Sequence, residues 1–488
     1  MSTDAPTRRA AVPAVLMSLL LVACTATSAE REMWPPAWQD PPPQTDIDFT
    51  PPTFSAPSAT HCHRLPSLRE VPGGGGQQGA GKLHGREMKS SRDDEASLAK
   101  RREAAGAPAS EAPIAESRAT ADAAAGIAPS PWPQAPQPHR PINPTVTAGM
   151  VDDNADFGEY LAYRQRNRQL PVRERDITER YLLEVTDAQG HPVHDAEVAV
   201  QRPGVAQPLM WARTDTAGRV WLHPRAFMSP DISERTLGVA VRKGGLQSRA
   251  MLLRGQSHAV QVRLGPVANA LVRLDLVFLI DATGSMGDEI AKLKHSMRAM
   301  AQQIAQLPGQ PDICYGLVAY RDRGDAYVTR THDFTDDLGA FQQQLANVQA
   351  HGGGDTPEAL NEALHEVVHG LSWRQQAARM VVLVADAPPH LDYGGPQYDR
   401  DMQAALAKGI KLFAVGASGL DPVGEYIYRQ MAQYTAGRFV FLTYRDASNP
   451  GSGPGSQTVH DVKQYSVQTL DRLVVRLVAD ELARLKRG

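Results

Sequence analysis

The chain has 488 residues, a formal net charge of −3 and three cysteines. This length exceeds what one core organises and predicts two or three domains, unless much of the chain is unfolded. The small net charge argues against a polycationic nucleic-acid binder, so we expect no nucleic acid among its partners, and three cysteines are too few for a disulfide framework.

Residues 1–23 have the pattern of a secretory signal peptide. Two arginines precede an apolar stretch over residues 10–23, which is too short to span a bilayer as a mature helix. Its end, Leu-Val-Ala-Cys, resembles the bacterial lipobox, which implies lipidation of Cys24; an ordinary signal peptide cleaved nearby is the alternative. The resemblance implies a lipid-anchored protein of the cell envelope. Thr25, rather than Asp, follows the cysteine. By resemblance to enterobacterial sorting rules this implies the outer membrane, on either its periplasmic or its surface face.

Residues 24–145 are rich in proline, alanine and glycine and predict a disordered linker. Such a composition buries too little apolar surface to offset the entropy of ordering the chain. We expect Cys62, which lies in this tract, to have no structural role. Cys314 lies in an apolar run and is expected to be a small core residue.

Residues 146–180 predict a helical lead-in to the folded part. Three aspartates, at positions 152, 153 and 156, precede an amphipathic pattern, but their spacing lacks the glycine and distal glutamate of a calcium loop. They predict a solvated acidic turn before a helix.

Residues 181–265 alternate between apolar and polar side chains in short runs separated by turns at Gly190, Gly218 and Gly244. This rhythm predicts a small all-β sandwich. The phrases around the first two turns resemble the carboxypeptidase regulatory-like sandwiches. No catalytic constellation is visible in this segment.

Residues 271–488 change to near-continuous apolar runs separated by helical patterns. Apolar runs such as those over 276–280 and 380–385 are typical of strands covered on both faces. The alternation predicts a doubly wound, Rossmann-like α/β domain with a mostly parallel sheet.

Polar residues follow two of these runs, where ligands bind in such sheets. The first run ends in Asp281, with Thr283 and Ser285 close behind, and another ends in Asp386. Thr356 lies in a glycine-rich loop just before a helical pattern.

Together these three loops resemble the von Willebrand factor type A domain, whose metal-ion-dependent adhesion site has the pattern Asp-x-Ser-x-Ser, a distant Thr and a further Asp. Thr283 replaces the usual serine and keeps the hydroxyl. The resemblance implies a site for Mg²⁺, with Mn²⁺ or Ca²⁺ as alternatives, that captures an Asp or Glu of a protein partner. The implied metal-site residues are Asp281, Thr283, Ser285, Thr356 and Asp386.

Neighbouring residues leave other functions open. Asp355 is a candidate for supporting the metal ligands from outside or for capping the following helix, and His390 is a candidate for the rim of the site, where a partner would dock. We expect no catalytic residue, but a metal-assisted hydrolase using Asp386 and His390 is one alternative, and an envelope scaffold with a purely structural ion is another. The tripeptide Arg-Gly-Asp at 323–325 predicts a charged turn rather than an adhesion motif.

Overall fold

The structure is a computed structural model that describes residues 52, 54, 62, 66–74, 145–228, 234–267, 273–354 and 356–485. The predicted signal peptide (1–23) and the lipidation site Cys24 lie outside the described residues, as does most of the predicted linker. Among the described helices, none combines the length and the apolar character needed to cross a bilayer.

Strands and helices alternate in the C-terminal half, whereas the middle of the chain is built of strands. The strands are β1 (Leu68–Pro72), β2 (Thr147–Val151), β3 (Tyr181–Thr186), β4 (Glu197–Gln201), β5 (Met210–Arg213), β6 (Arg219–Leu222), β7 (Thr236–Lys243), β8 (Leu246–Leu253), β9 (Val260–Arg263), β10 (Arg273–Asp281), β11 (Asp312–Tyr320), β12 (Tyr327–Thr335), β13 (Ala378–Ala385), β14 (Ile410–Gly416), β15 (Arg438–Asp446), β16 (Asn449–Pro454) and β17 (Gln468–Thr469). The α-helices are α1 (Phe157–Arg166), α2 (Ile290–Ala305), α3 (Leu338–Asn347), α4 (Leu360–His365), α5 (Tyr398–Lys408), α6 (Pro422–Tyr434) and α7 (Leu470–Leu485).

The large sheet has the order β1-β12-β11-β10-β13-β14-β15-β2-β17, with β16 attached to β15. The five central strands, β11-β10-β13-β14-β15, run parallel to one another. Antiparallel strands flank them on both sides, β12 next to β11 and β2 next to β15. This confirms the predicted α/β fold with a largely parallel sheet. Strand β10 lies where the order reverses, between β11 and β13, so ligands are expected at its carboxyl end.

Side chains on the two faces of β10 enter two different cores. Val277 and Leu279 pack with α4, α5, α6 and the small domain, whereas Leu276, Phe278 and Ile280 pack with α2, α3 and α7. Burial on both faces explains why the sequence of this strand is apolar without alternation.

Residues 181–263 form two further sheets, β6-β3-β9 and β5-β4-β7-β8. Leu183 of the first and Val239 of the second belong to one buried core. We call this unit the small domain; its relation to the carboxypeptidase regulatory-like family stays a prediction. Trp211 of β5 packs against Ala407 of α5, which joins the small domain to the large one.

The predicted linker is wrong in one part. Residues 68–72 form an edge strand that pairs antiparallel with β12, and Arg69 binds Glu366 at 2.7 Å and Asp333 at 3.4 Å. An edge strand buries little of its surface, so its sequence lacks the apolar pattern that identified the central strands.

Cys62 also lies within the predicted linker, and the expectation that it has no structural role is wrong. It forms a disulfide with Cys314, with the two Cα atoms 5.9 Å apart. Cys314 is fully buried, as expected of a core residue. The two cysteines are 252 residues apart in sequence, so no local pattern announced the pairing.

The helical lead-in is wrong over its first residues, because 147–151 form β2, which pairs antiparallel with β15. The predicted helix follows as α1, capped by the Asp156 side chain. Asp153 does not lie in a solvated turn: it is 6% exposed and binds Arg429 at 2.6 Å.

Candidate metal centre

Three loops meet at the carboxyl end of β10: the loop after β10, the glycine loop before α4 and the loop after β13. Backbone hydrogen bonds hold them together. Gly284 N donates to Gly352 O at 2.8 Å, and Glu358 N donates to Pro388 O at 3.1 Å. The three sequence segments that the motif draws from are therefore neighbours in space.

The loop after β10 is built around Asp281, which is fully buried. Its Oδ1 accepts hydrogen bonds from Thr283 N at 2.9 Å and Thr283 Oγ1 at 2.6 Å. Thr283 Oγ1 lies 3.1 Å from Ser285 Oγ. Asp281 Oδ2 is buried and accepts no hydrogen bond of ordinary length from the described residues, although the Tyr320 hydroxyl lies near enough to lower the pKa of this carboxylate. This oxygen is therefore positioned to bind a ligand.

Asp386 lies directly after β13 and is 8% exposed. Its Oδ1 is also buried without a partner in the described part of the chain, and the neighbouring Ser285 hydroxyl lowers the pKa of this carboxylate. The structure thus brings together four of the predicted residues: Asp281, Thr283, Ser285 and Asp386. Thr356 lies exposed in the glycine loop two residues before Glu358. Asp355 lies outside the described residues.

His390, the predicted rim residue, is held by carboxylates. Its Nε2 lies 3.2 Å from Asp322 Oδ1 and its Nδ1 lies 3.4 Å from Asp392 Oδ1, and its side chain is 12% exposed. Its ring also contacts that of Tyr393, with centroids 4.4 Å apart. These contacts orient the imidazole toward Asp322.

Sequence reasoning missed Glu358, which is 2% exposed and lies beside the predicted ligands. A Cβ added to Gly353 would lie 2.6 Å from Glu358 Oε1 and 3.0 Å from Thr283 Cβ, so this glycine separates the two side chains. Glu358 Oε2 is buried and has no partner among the described residues. In the sequence Glu358 resembles any glutamate before a helix, and no signal marks it.

Asp325, the last residue of the Arg-Gly-Asp tripeptide, supports the glycine loop through a hydrogen bond to the loop backbone. Its Oδ2 accepts from Gly353 N at 2.9 Å and from Asp322 N at 3.1 Å. Gly352 has φ +76°, and a Cβ there would lie 2.2 Å from Asp325 Oδ1, so only glycine fits. Arg323 binds Glu362 at 2.5 Å and lies 3.8 Å from the centroid of the Tyr393 ring.

Burial raises the pKa values of the carboxyl groups at this site, and neighbouring negative charges add to the effect. Burial, and next the charge of Asp386, raise the pKa of Asp281 to about 7. Burial, and next the charges of Asp281 and Asp322, raise the pKa of Glu358 to about 9. Burial also raises the pKa of Asp386, by more than the hydrogen bond from Ser285 lowers it. Without a cation, these groups resist ionisation.

This donor set fits a hard divalent cation. Hydroxyl and carboxylate oxygens are the ligands that Mg²⁺ and Ca²⁺ prefer. Asp281, Asp386 and Glu358 form no ion pair with any described lysine, arginine or histidine. Buried carboxylates are ordinarily paired or bound to a metal, so the unpartnered oxygens mark where a cation would bind.

Comparison with known proteins identifies the domain. Residues 275–448 match the family model described as "von Willebrand factor type A domain", so a domain of this family is present in the chain. Domains of this type typically mediate protein–protein interaction and metal-dependent adhesion.

The curated relatives match only a short part of this chain. "Alpha-protein kinase vwkA" of Dictyostelium discoideum is 29% identical over 119 residues, 24% of this chain and 19% of that protein. "Von Willebrand factor A domain-containing protein 7" of Homo sapiens is 40% identical over 89 residues, 18% of this chain and 9% of that protein. The chain therefore spans less than a fifth of the length of these curated relatives. The solved structure of "conserved hypothetical protein BatB" from Bacteroides thetaiotaomicron has a TM-score of 0.30 and 12% identity, covering 44% of this chain and all of that one (100%).

Proposed function

We propose that this chain binds a protein partner through Mg²⁺, with Mn²⁺ or Ca²⁺ as alternatives. The ion is held where the loops after β10 and β13 meet the glycine loop, a place that we call the strand-end site; its residues are Asp281, Thr283, Ser285, Thr356 and Asp386. One observation carries the proposal: buried oxygens of Asp281, Asp386 and Glu358 lie at the meeting point of three loops without hydrogen-bond partners among the described residues. A chain that buries unpaired carboxylates at one point gains stability when a cation binds there.

The residues divide into three roles under this proposal. The hydroxyls of Thr283, Ser285 and Thr356 are compact neutral ligands, able to approach an ion directly. Asp281 and Asp386 supply the negative charge, and Asp281 also fixes the loop through its two hydrogen bonds from Thr283. When bound, the ion supplies a coordination position for a carboxylate of the partner, because Mg²⁺ prefers six oxygen ligands.

The chain itself leaves one position of the ion open under this proposal. Two aspartates and three hydroxyls supply five oxygen ligands when each binds through one atom, whereas Mg²⁺ prefers six. The sixth position is then available to an external acid group. We propose that the partner supplies that group from an Asp or Glu side chain.

Partner capture from a cell-envelope extract tests this proposal, using the full chain in Mg²⁺ or in EDTA. We expect a specific partner to be captured in Mg²⁺ by the wild type and by Asp336→Ala, an exposed carboxylate beyond another strand. Capture should fail in EDTA and with Asp281→Ala, while circular dichroism shows that both variants are folded. Equal capture with and without EDTA would refute the proposal.

We further propose that Cys24 carries a lipid that holds the protein in the cell envelope, with the outer membrane favoured. The disulfide between Cys62 and Cys314 supports this, since disulfides persist in oxidising compartments outside the cytosol. Labelling with a fatty-acid analogue should mark the wild type and leave Cys24→Ser unlabelled and released from the membrane fraction. Label that survives in Cys24→Ser would contradict the anchor.

We propose no catalytic residue. His390, the base of the hydrolase alternative, has its Nε2 3.2 Å from Asp322 Oδ1, and this contact supports the proposed role of a rim residue. A panel of ester and phosphoester substrates with Mg²⁺ should show no turnover. Turnover that disappears in His390→Ala would favour the hydrolase.

A further inference from the structure

A second cluster of potential metal ligands lies on the helical layer, apart from the strand-end residues. His365 ends α4, His369 lies in the π turn that follows it (Glu366–Gly370), and Asp401 lies in the first turn of α5. One ligand atom from each residue lies within 4.8 Å of the other two. The Mg²⁺ proposal assigns no role to this cluster.

The spacing of the two histidines brings their rings together. Residues four apart on a helical segment project from the same face. The ring centroids of His365 and His369 are 4.4 Å apart. Their rings therefore form one surface, which faces Asp401 on the neighbouring helix.

Asp401 binds both rings through one oxygen. His365 Nδ1 and His369 Nε2 each lie 3.0 Å from Asp401 Oδ1. A tetrahedral Zn²⁺ site, with bonds of about 2.0–2.1 Å, holds its ligand atoms about 3.3 Å apart. Both nitrogen–oxygen distances are close to this value, and all three ligand atoms lie within 4.8 Å of one another, so a single ion fits between them in place of the shared protons.

The other oxygen of Asp401 provides the second, independent observation. Asp401 is 3% exposed, and its Oδ2 is buried with no hydrogen-bond partner in the described part of the chain. The nearby Lys408 does not satisfy it, because Lys408 Nζ donates to Val368 O at 2.6 Å. A buried carboxylate with a free oxygen beside two histidines has more binding capacity than the two hydrogen bonds use.

The rings also leave the site accessible. The side chains of His365 and His369 are 48% and 41% exposed, so solvent reaches the cluster from the outer side. Three protein ligands with one open side match zinc sites that keep water in the fourth position. Nitrogen ligands also separate this site from the oxygen-only strand-end site, which suits Mg²⁺.

We propose that His365, His369 and Asp401 form a binding site for Zn²⁺, with His365 Nδ1, His369 Nε2 and an oxygen of Asp401 as ligands. The ion ties α4 to α5. These helices follow the glycine loop and the loop after β13, respectively, and Asn361 already links them by accepting from Tyr398 N at 2.8 Å. The zinc site therefore stabilises the two helices that lie behind the strand-end site.

Zinc titration of the full chain in excess Mg²⁺ tests the proposal, with competition against a fluorescent chelator as the readout. The experiment compares four proteins: the wild type, His365→Ala, His369→Ala and His295→Ala. His295→Ala removes an exposed histidine from α2 and serves as the matched control. We expect one equivalent of Zn²⁺ to bind the wild type and His295→Ala. Each ligand variant should bind at least tenfold more weakly. Co²⁺ should give a visible absorption band in the same two proteins only.

Thermal melting provides the second measurement, since removal of His365 or His369 leaves the buried Asp401 in place. Zn²⁺ should raise the melting temperature of the wild type and of His295→Ala, but not that of the ligand variants. Unchanged zinc affinity in the double variant His365→Ala/His369→Ala would overturn the proposal, as would failure of the wild type to bind Zn²⁺. Mg²⁺-dependent partner capture should survive in these variants, which separates this proposal from the previous one.

Discussion

Two regions of the molecule bury carboxylates in different ways. At the junction of the two domains, Asp195 of the small domain binds Arg379 of β13 at 2.9 Å and Arg213 at 3.2 Å. Asp215 binds Lys411 of β14 at 3.0 Å. The chain neutralises both of these carboxylates with its own cations.

At the strand-end site the chain does not neutralise its buried carboxylates with cations of its own. Asp281 and Asp386 lie at the ends of β10 and β13, strands of the same sheet, yet their neighbours are hydroxyls and another carboxylate, Glu358. Burial alone would raise the pKa of Asp195, but the surrounding cationic groups, led by Arg379 and Arg213, together outweigh it and lower this pKa. In contrast, burial raises the pKa of Asp281 to about 7. The comparison shows that burial alone does not determine the state of a carboxylate. The two regions differ in whether the chain supplies the counter-charge of its buried carboxylates.

The largest expected effect is at the junction. Asp195→Asn leaves Arg379 and Arg213 without their shared carboxylate, and breaking a buried pair costs about 3–5 kcal/mol of unfolding free energy. Denaturant unfolding of the full chain would measure this loss. Asp336→Asn, at an exposed aspartate, should change the unfolding free energy by less than about 0.5 kcal/mol. An equally small effect of Asp195→Asn would remove the contrast between the two regions.

The pH dependence of the same variant sharpens the comparison. Because folding lowers the pKa of Asp195, its contribution to stability is complete above the unfolded pKa of about 3.9 and is lost as the pH falls toward the folded pKa. The difference in unfolding free energy between wild type and Asp195→Asn should therefore be constant from pH 8 to about pH 5 and shrink below about pH 4. A difference that grows on acidification would contradict the ion pair.

Asp281→Asn should act in the opposite direction when no metal is present. Its raised pKa means that ionisation at pH 8 opposes folding, so the neutral amide should raise the metal-free unfolding free energy by about 1–3 kcal/mol. Unfolding in EDTA measures the effect. A large destabilisation would place Asp281 with the structural carboxylates of the junction.

The smallest expected effect concerns the support of the glycine loop. Asp325→Ala removes the acceptor for Gly353 N and should weaken Mg²⁺ binding about tenfold, as losses behind a metal ligand commonly do. Arg323→Ala is the matched control from the same tripeptide, because its contacts are with Glu362 and Tyr393. Mg²⁺ titration calorimetry distinguishes the two variants. Equal effects would show that Asp325 does not position the loop.

Much of the large sheet could be predicted from the sequence because its central strands are buried on both faces and therefore read as uninterrupted apolar runs. The edge strand β1 and the outlying strand β2, which lies between β15 and β17, could not, since their pairing depends on partners far away in the chain. The pairing of Cys62 with Cys314 could not be predicted either, because a disulfide between residues 252 positions apart leaves no local sequence pattern.

The site was predictable where the strand ends determine it. Asp281 and Asp386 each follow an apolar run, and the sheet brings the ends of neighbouring strands together. Glu358 was missed because its position depends on the path of the glycine loop, which the sequence does not specify. The histidine pair was missed for a related reason, since its third member, Asp401, lies on a different helix.

The most direct test of the central claim is thermal melting of the full-length wild type and Asp281→Asn, each in EDTA and in Mg²⁺. If the chain supplies no counter-charge to the strand-end carboxylates and a cation normally provides it, Asp281→Asn has a higher melting temperature than the wild type in EDTA. Mg²⁺ then raises the melting temperature of the wild type alone and reverses the order. A wild-type melting temperature that does not respond to Mg²⁺, or an equal rise in both proteins, would contradict the account.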